Sequence, residues 1–235
     1  MSLKGIFPID RWDFNSQKIL ADLSDKDWDN LMAHARKEKY KKGQIVFREG
    51  AQPTSIFYIH TGTVKKYKID NDGKEHIVYV ASAGELIGYH AALADEVYPD
   101  AAAALEDSVV DVIPVADFLS TLDRSPAFSR KLLKTLSHEF AVYINNLSVF
   151  AQRPVRERVA IALIVLREKY KQGVKPGAPV MISISRDDIA NMAGTTRENV
   201  ARFLTEFKQE KIIDTIGRKI LITNVRKLAE VSNYS

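Results

Sequence analysis

Apolar positions along this chain follow several rhythms, and each predicts a different kind of structure. Near the N-terminus, Ser24 stands three residues before Asp27 and just ahead of Trp28, Leu31 and Met32, the spacing of an N-cap followed by a buried helical stripe. That helix is expected to run out in the basic stretch from Arg36 to Lys42. From Tyr40 to about Val115 the rhythm shortens. Gln44 to Arg48, Ile56 to His60, Gly62 to Ile69, His76 to Ala81 and Val109 to Ile113 read as short strands, with Asn71-Asp72-Gly73 as the strongest turn signal. Gly43, Gly50, Gly62, Gly84 and Gly88 punctuate these runs, and short strands at regular spacing predict a small antiparallel barrel or jelly roll.

A longer period follows. From Pro126 to Gln152, Leu133, Leu136, Phe140, Tyr143, Leu147 and Phe150 recur three and four residues apart, the seam of a two-stranded coiled coil and hence of a homodimer. A single helix packed on its own barrel is the alternative. Arg153-Pro154 breaks the pattern, and proline restarts a helix whose buried stripe is Val155, Val159, Leu163 and Leu166. Gly173 to Pro179 reads as a turn-rich loop, and Met181 to Ile184 as a short strand.

Ser185 to Ile222 then has the layout of a winged helix-turn-helix. Ser185 precedes Asp187-Asp188 and the apolar series Ile189, Ala190, Met192 and Ala193, so a hydroxyl cap and first-turn acids meet the unpaired N–H groups of an opening helix. Gly194 ends it. Thr195-Thr196 cap a second helix, from Thr196 to Lys208, that buries Val200, Phe203, Leu204 and Phe207. Its other face carries Arg197, Glu198 and Arg202, which suits the major groove: Arg pairs with guanine O6/N7 and Glu accepts from cytosine N4. Glu198 has a second reading, since Thr195 and Glu198 are spaced as a capping box. Ile212, Ile213 and Ile216 lead to Gly217, and Arg218 and Lys219 at the tip of this wing are placed to meet phosphate, as are Ser185, Thr195 and Thr196 at the helix starts.

Charge sharpens the division. The 235-residue chain is only +4 overall, yet Arg153 to Ser235 holds 16 Lys+Arg against 9 Asp+Glu, a net +7, and the preceding part is −3. The basic excess lies where the helix-turn-helix lies, the footprint of a phosphate-binding domain. The chain has no cysteine, which removes disulfides and Cys-ligated iron–sulfur clusters. Met1 to Asp10 lacks a sustained apolar core and no run approaches spanning length, so a cytoplasmic protein without a membrane partner is expected.

The segment Gly194-Thr195-Thr196-Arg197-Glu198-Asn199-Val200-Ala201-Arg202 resembles the recognition segment of the cyclic-AMP receptor and fumarate-nitrate regulator (CRP/FNR) family of bacterial transcription factors. Lys42-Gly43-Gln44, Phe47-Arg48-Glu49-Gly50, Ile56 to Ile59 with Gly62 to Lys65, and Gly84-Glu85-Leu86-Ile87-Gly88 are similar to successive turns of that family's cyclic-nucleotide-binding barrel. The resemblance implies an α+β chain in three parts: a sensor jelly roll over 1–120, a dimerisation helix over 121–152, and a winged helix-turn-helix over 153–235. It further implies that Arg197, Glu198 and Arg202 read bases in a core similar to TGTGA, and that double-stranded DNA, a second copy of the chain and RNA polymerase are partners.

The effector pocket departs from the family pattern. Nucleotide-binding members follow the glycine turn with a Glu for the ribose and, about a dozen residues on, an Arg-Ser pair for the cyclic phosphate. Aligned on Gly88, those positions hold Tyr89 and Pro99-Asp100, and no Arg or Lys falls between Lys74 and Arg124. A buried phosphate beside Asp100 would lack a cation, so cyclic AMP is not the expected effector; haem is not expected either. Gly88, Tyr89, His90, Tyr98, Pro99 and Asp100 are the candidates for an altered pocket that takes another small molecule, and Tyr58 and Tyr79 are further aromatics of the same barrel. A regulator without a ligand is the second option. A metal-dependent cupin-type enzyme is the third, opposed by the wide spacing of His60, His76 and His90.

Overall fold

The computed structural model of the chain describes residues 3, 5–21, 23–171, 174–175 and 178–234. Gly173, Pro176 and Gly177 of the expected loop lie outside them. The chain divides into two compact units, Phe14–Lys68 with Tyr79–Ala141, and Met1–Asp13 with Ile69–Val78 and Val142–Ser235.

In the first unit, α1 (Gln17–Leu20) and α2 (Asp25–Met32) precede a pair of four-stranded sheets. Ser24 caps α2 by accepting the Asp27 N–H at 3.2 Å. The helix stops at Met32, and the basic run that was expected to finish it forms a strand instead, β1 (Arg36–Tyr40). β1 pairs antiparallel with the later strand Ser108–Pro114, from Arg36 opposite Val112 to Tyr40 opposite Ser108. Its lysines lie at a sheet edge, where charge discourages pairing with other chains.

The remaining strands are β2 (Ile45–Phe47), β3 (Ser55–Thr61), β4 (Thr63–Ile69), β5 (Glu75–Ser82), β6 (Leu86–Ile87), β7 (Ala101–Ala104) and β8 (Ser108–Pro114). One sheet runs β1-β8-β3-β6 and the other β2-β7-β4-β5, the order of a jelly roll in two sheets and not a closed barrel. β7 had no sequence signal, because alanine is a poor strand former. It is a strand because β2 and β4 supply ladders on both sides, and all four alanines are buried. Three helices complete the unit: α3 (Tyr89–Ala94), α4 (Val115–Arg124) and the first half of α5 (Pro126–Gln152). Ile19, Leu31, Ile56, Leu86, Tyr89, Ile113, Phe118, Phe128 and Leu132 form its core, with Leu136 packed against them.

In the second unit α5 ends at Gln152 and α6 (Val155–Tyr170) opens behind Pro154. α6 is buried from Val159 to Arg167, as a helix enclosed on all sides must be apolar all round. Around it lie β9 (Met181–Ile182), α7 (Arg186–Ala193), α8 (Arg197–Gln209), the hairpin β10 (Ile213–Ile216) and β11 (Lys219–Ile222), and α9 (Val225–Ser232). Two segments from elsewhere in the chain belong here. The tip of the β4–β5 hairpin is one. The N-terminal stretch is the other: Phe7 and Trp12 form an aromatic cluster with Tyr234, ring centroids 5.3–6.3 Å apart, and buried Lys169 pairs with Asp13 at 3.2 Å. No helix among the described residues is long and apolar enough to cross a membrane.

Candidate DNA-reading site and sensor pocket

The candidate reading site is built from two caps and one glycine. Ser185 accepts the Asp188 N–H at 2.9 Å and donates to the Asp188 carboxylate at 2.5 Å, fixing the start of α7. Gly194 closes α7 at φ +58°, and a Cβ there would sit 3.0 Å from the Phe150 ring, so both the backbone angle and the contact call for glycine. α8 then opens on Thr196, which accepts the Asn199 N–H at 3.3 Å. Val200, Phe203, Leu204 and Phe207 are buried on one side of α8.

The opposite face is polar and open. Arg197 and Asp187 are 3.4 Å apart with both side chains about 60 % exposed, an exchangeable pair. Glu198 is exposed; its own backbone N–H, then the Thr196 hydroxyl, hold its carboxyl below the usual range. The acid is thus engaged at the cap in the free protein, with Thr196 as its partner where the sequence pointed to Thr195. Thr195 is buried, and its hydroxyl takes the Asn199 amide at 3.1 Å. Asn199 in turn accepts from Arg202 at 3.2 Å, while that guanidinium lies 4.6 Å over the Phe203 ring. Asn199 therefore orients Arg202, a role that sequence reasoning did not assign; its place one turn before Arg202 was the available signal. Ser185 and Thr195 are occupied with capping and positioning, whereas Thr196, Arg218 and Lys219 are exposed. Gly217 turns the wing at φ +61°, with Ile216 opposite Lys219.

The candidate pocket residues separate into three groups. Gly88 precedes α3 at φ +85°, where a Cβ would approach the rings of Phe57 at 3.2 Å and Tyr98 at 3.4 Å. The Tyr98 hydroxyl donates to the Ser55 carbonyl at 2.5 Å, its ring stacks on Phe47, and burial pushes its pKa up to about 12. Tyr89 and His90 turn to α5: Tyr89 is fully buried and donates to Glu139, and His90 Nε2 lies 2.5 Å from the other oxygen of that carboxylate. At the third place, the Pro99 carbonyl accepts from Lys68 at 2.9 Å, and Asp100 forms a buried ion pair with Lys66 at 3.0 Å. The cation that the window between Lys74 and Arg124 lacks arrives from β4, out of sequence range. Tyr79 donates to buried Glu85, whose other oxygen takes the Ser82 N–H and hydroxyl at 2.9 Å each.

The seam predicted on α5 is redistributed as well. Leu133, Phe140 and Leu147 are exposed, and Ile144, absent from the predicted seam, joins them; these four are 52–71 % exposed. Leu136 faces the core of its own chain, and Tyr143 and Phe150 are half-buried, Phe150 against Gly194 and His76.

A jelly roll followed by a long helix and a winged helix-turn-helix with an open Arg/Glu/Arg face is the build of a DNA-binding transcription regulator. Comparison with known proteins agrees: residues 37–125 match the cyclic nucleotide-binding domain, and residues 157–231 match the Crp-like helix-turn-helix domain. The fumarate and nitrate reduction regulatory protein of Vibrio cholerae is 30% identical over 200 residues, covering 85% of this chain and 80% of that protein. The anaerobic regulatory protein of Aggregatibacter actinomycetemcomitans is 29% identical, covering 87% and 78%. The chain belongs to the CRP/FNR family of transcription regulators, and the metal-dependent enzyme reading is set aside. Among solved structures, FixK2 of Bradyrhizobium japonicum superposes with a TM-score of 0.74 at 22% identity, covering 86% of this chain and 98% of that one. The c-di-GMP-responsive global regulator CLP of Xanthomonas campestris gives 0.71 at 18% identity, covering 85% and 99%.

Proposed function

We propose that this regulator acts in the cytoplasm as a homodimer on inverted-repeat promoter sites, where it meets RNA polymerase. α8 is the reading helix: Arg197, Glu198 and Arg202 meet base edges in a G·C-bearing core similar to TGTGA, and Thr196, Arg218 and Lys219 meet phosphates. The observation that carries this reading is the α8 surface, apolar where it packs and charged where it is open. The dimer follows from α5. Leu133, Phe140 and Leu147 are one heptad apart with Ile144 between them, a stripe too apolar to leave in water.

The domain division that goes with this function is a sensor over 1–120, a dimerisation helix over 121–152 and a DNA-binding part over 153–235. The effector is not a cyclic nucleotide. Lys66 and Asp100 neutralise each other, so a cyclic phosphate would have to displace a buried carboxylate to reach the cation. A small molecule without phosphate is the preferred effector. A ligand-independent regulator is the second reading, favoured by the internal pairing of Tyr89, His90, Tyr98 and Asp100.

Selection from a random duplex library, with sedimentation of the free protein, tests the main reading. The expected result is a dimer and a palindrome with half-sites about one helical turn, ~34 Å, apart. A monomer, or a non-palindromic site, overturns it. Calorimetric titration with cyclic AMP is expected to show no binding, and micromolar affinity would refute the charge argument.

A further inference from the structure

A helix ends with carbonyls that have no partner inside it, and something else must meet them. At the C-terminus of α7, the helix that precedes the reading helix, the N–H groups of Gly194 and Thr195 both return to the Ala190 carbonyl. The carbonyls of Asn191, Ala193 and Gly194 are met by side chains from outside the helix-turn-helix. Arg158 on α6 donates its Nε–H to Ala193 at 2.8 Å and its Nη2 to Gly194 at 3.1 Å. The same guanidinium reaches the end of α5, with Nη1 3.0 Å from the Arg153 carbonyl and 3.4 Å from that of Phe150. One planar fork therefore ties the last carbonyls of two helices, a task that suits five donors in fixed geometry and does not suit an ammonium. His76, from the tip of the β4–β5 hairpin, donates Nδ1–H to the Asn191 carbonyl at 3.1 Å and packs edge-on to Phe150, 5.0 Å between ring centroids. Phe150 is in turn the ring that a side chain at Gly194 would strike, and Arg158 lies 5.7 Å from it.

We infer that Arg158, with His76 as a second arm, is a positioning residue for DNA reading: it clamps the turn between α7 and α8 and thereby holds Arg197, Glu198 and Arg202 at the angle that base recognition requires. Neither residue belongs to the exposed α8 face, and neither was singled out for this role by the sequence. The two arms act on one short turn, where a shift of an ångström moves every reading side chain of α8 together. Phosphate contacts from the wing do not depend on that angle to the same degree, because they bear on charge and not on base-edge geometry. The clamp therefore acts on specificity more than on affinity for DNA in general. The inference rests on the reading of α8 as the recognition helix.

The test compares wild type, Arg158→Lys and His76→Phe in the full chain. Arg158→Lys keeps the charge and loses the fork; His76→Phe keeps a ring against Phe150 and loses the donor to Asn191. Affinity is measured on the selected operator and on an unrelated duplex at the same salt, alongside hydrogen exchange of the amides of residues 195–199. Arg158→Lys is expected to lose about tenfold on the operator, equal to about 1.4 kcal/mol, while affinity for the unrelated duplex stays level and the five amides exchange faster. His76→Phe is expected to move the same ratio in the same direction by a smaller factor. An unchanged operator-to-unrelated ratio in both variants overturns the inference, as does unchanged exchange of those amides. Should Arg158→Lys fail to fold, His76→Phe decides alone. Failure of the α8 reading itself shows in the wild type, which would then select no operator, and is thereby distinguished from failure of the clamp.

Discussion

The two units of this chain place their polar side chains in opposite ways. On α8, Arg197, Glu198 and Arg202 stand in solvent, each beside an exposed or local partner: a carboxylate, a helix cap and an amide. In the jelly roll, Lys66, Asp100, Glu85 and Glu139 are buried, and each is committed to a partner within the domain. Exposed groups are free to recognise, while buried ones have lost their water and must keep their internal partners.

The largest expected effect breaks the buried side of that contrast. Lys66→Ala leaves Asp100 buried without this cation, at a cost of about 3–5 kcal/mol, read as a fall in the midpoint of urea unfolding. Lys66→Met with Asp100→Leu removes both charges and is expected to recover most of that loss. If the double variant is no better than Lys66→Ala, the pair is held for binding and not for folding, and the effector argument must be reopened.

The exposed side breaks differently. Arg202→Ala is expected to leave stability nearly unchanged, to cost about 1–3 kcal/mol for each half-site of the selected operator, and to relax preference at one base pair in each half-site. Equal losses on operator and unrelated DNA would show that Arg202 meets phosphate. Lys219→Ala is the control, expected to weaken all duplexes alike and to reduce the slope of log K against log salt by about 1.8, roughly 0.9 for each copy in the dimer. A loss confined to one base position would assign this lysine to reading.

The same contrast explains what was legible in the sequence. The helix-turn-helix could be read because its signals are local: Ser185 and Asp188 three apart, Gly194 at a left-handed turn, and apolar residues at helical spacing on α8. β1 and β7 could not be read, since Arg36–Tyr40 and Ala101–Ala104 are strands only because distant strands pair with them. The cation beside Asp100 was out of reach for a related reason. Lys66 and Asp100 are 34 positions apart, and nothing short of the β4–β7 ladder brings them together. The seam on α5 was half legible: two apolar stripes share one helix, and spacing alone does not say which of Leu136 and Ile144 faces its own core.

A smaller effect probes the cap beneath the reading helix pair. Ser185→Ala removes the acceptor for the Asp188 N–H and is expected to cost about 1 kcal/mol of stability. Ser185→Gly is expected to cost only a few tenths. Were Ser185 a phosphate ligand, operator affinity would fall in both variants by more than stability accounts for; the capped geometry predicts that it does not.

The smallest effect is one of pH and falls on His76. Burial is the main influence on its imidazole and lowers its pKa from the ordinary 6.5; the Asn191 carbonyl opposes this and Lys74 adds to it. Lys74 on the hairpin is the charge that acts on the imidazole, and it is unfavourable to a second positive charge; Glu75 adjoins His76 in the chain, and Arg158 lies against the same Phe150 ring. A lowered folded-state value means that the unfolded chain binds the proton first. The docked hairpin tip thus contributes its full stability above about pH 6.5 and loses part of it as the pH falls below that value, until the docked imidazole is itself protonated. Operator specificity is expected to follow the same curve in wild type and to lose this component in His76→Phe. A drop of specificity in acid that survives in His76→Phe would place the titrating group elsewhere, whereas its disappearance would assign the effect to this imidazole and its hold on the Asn191 carbonyl.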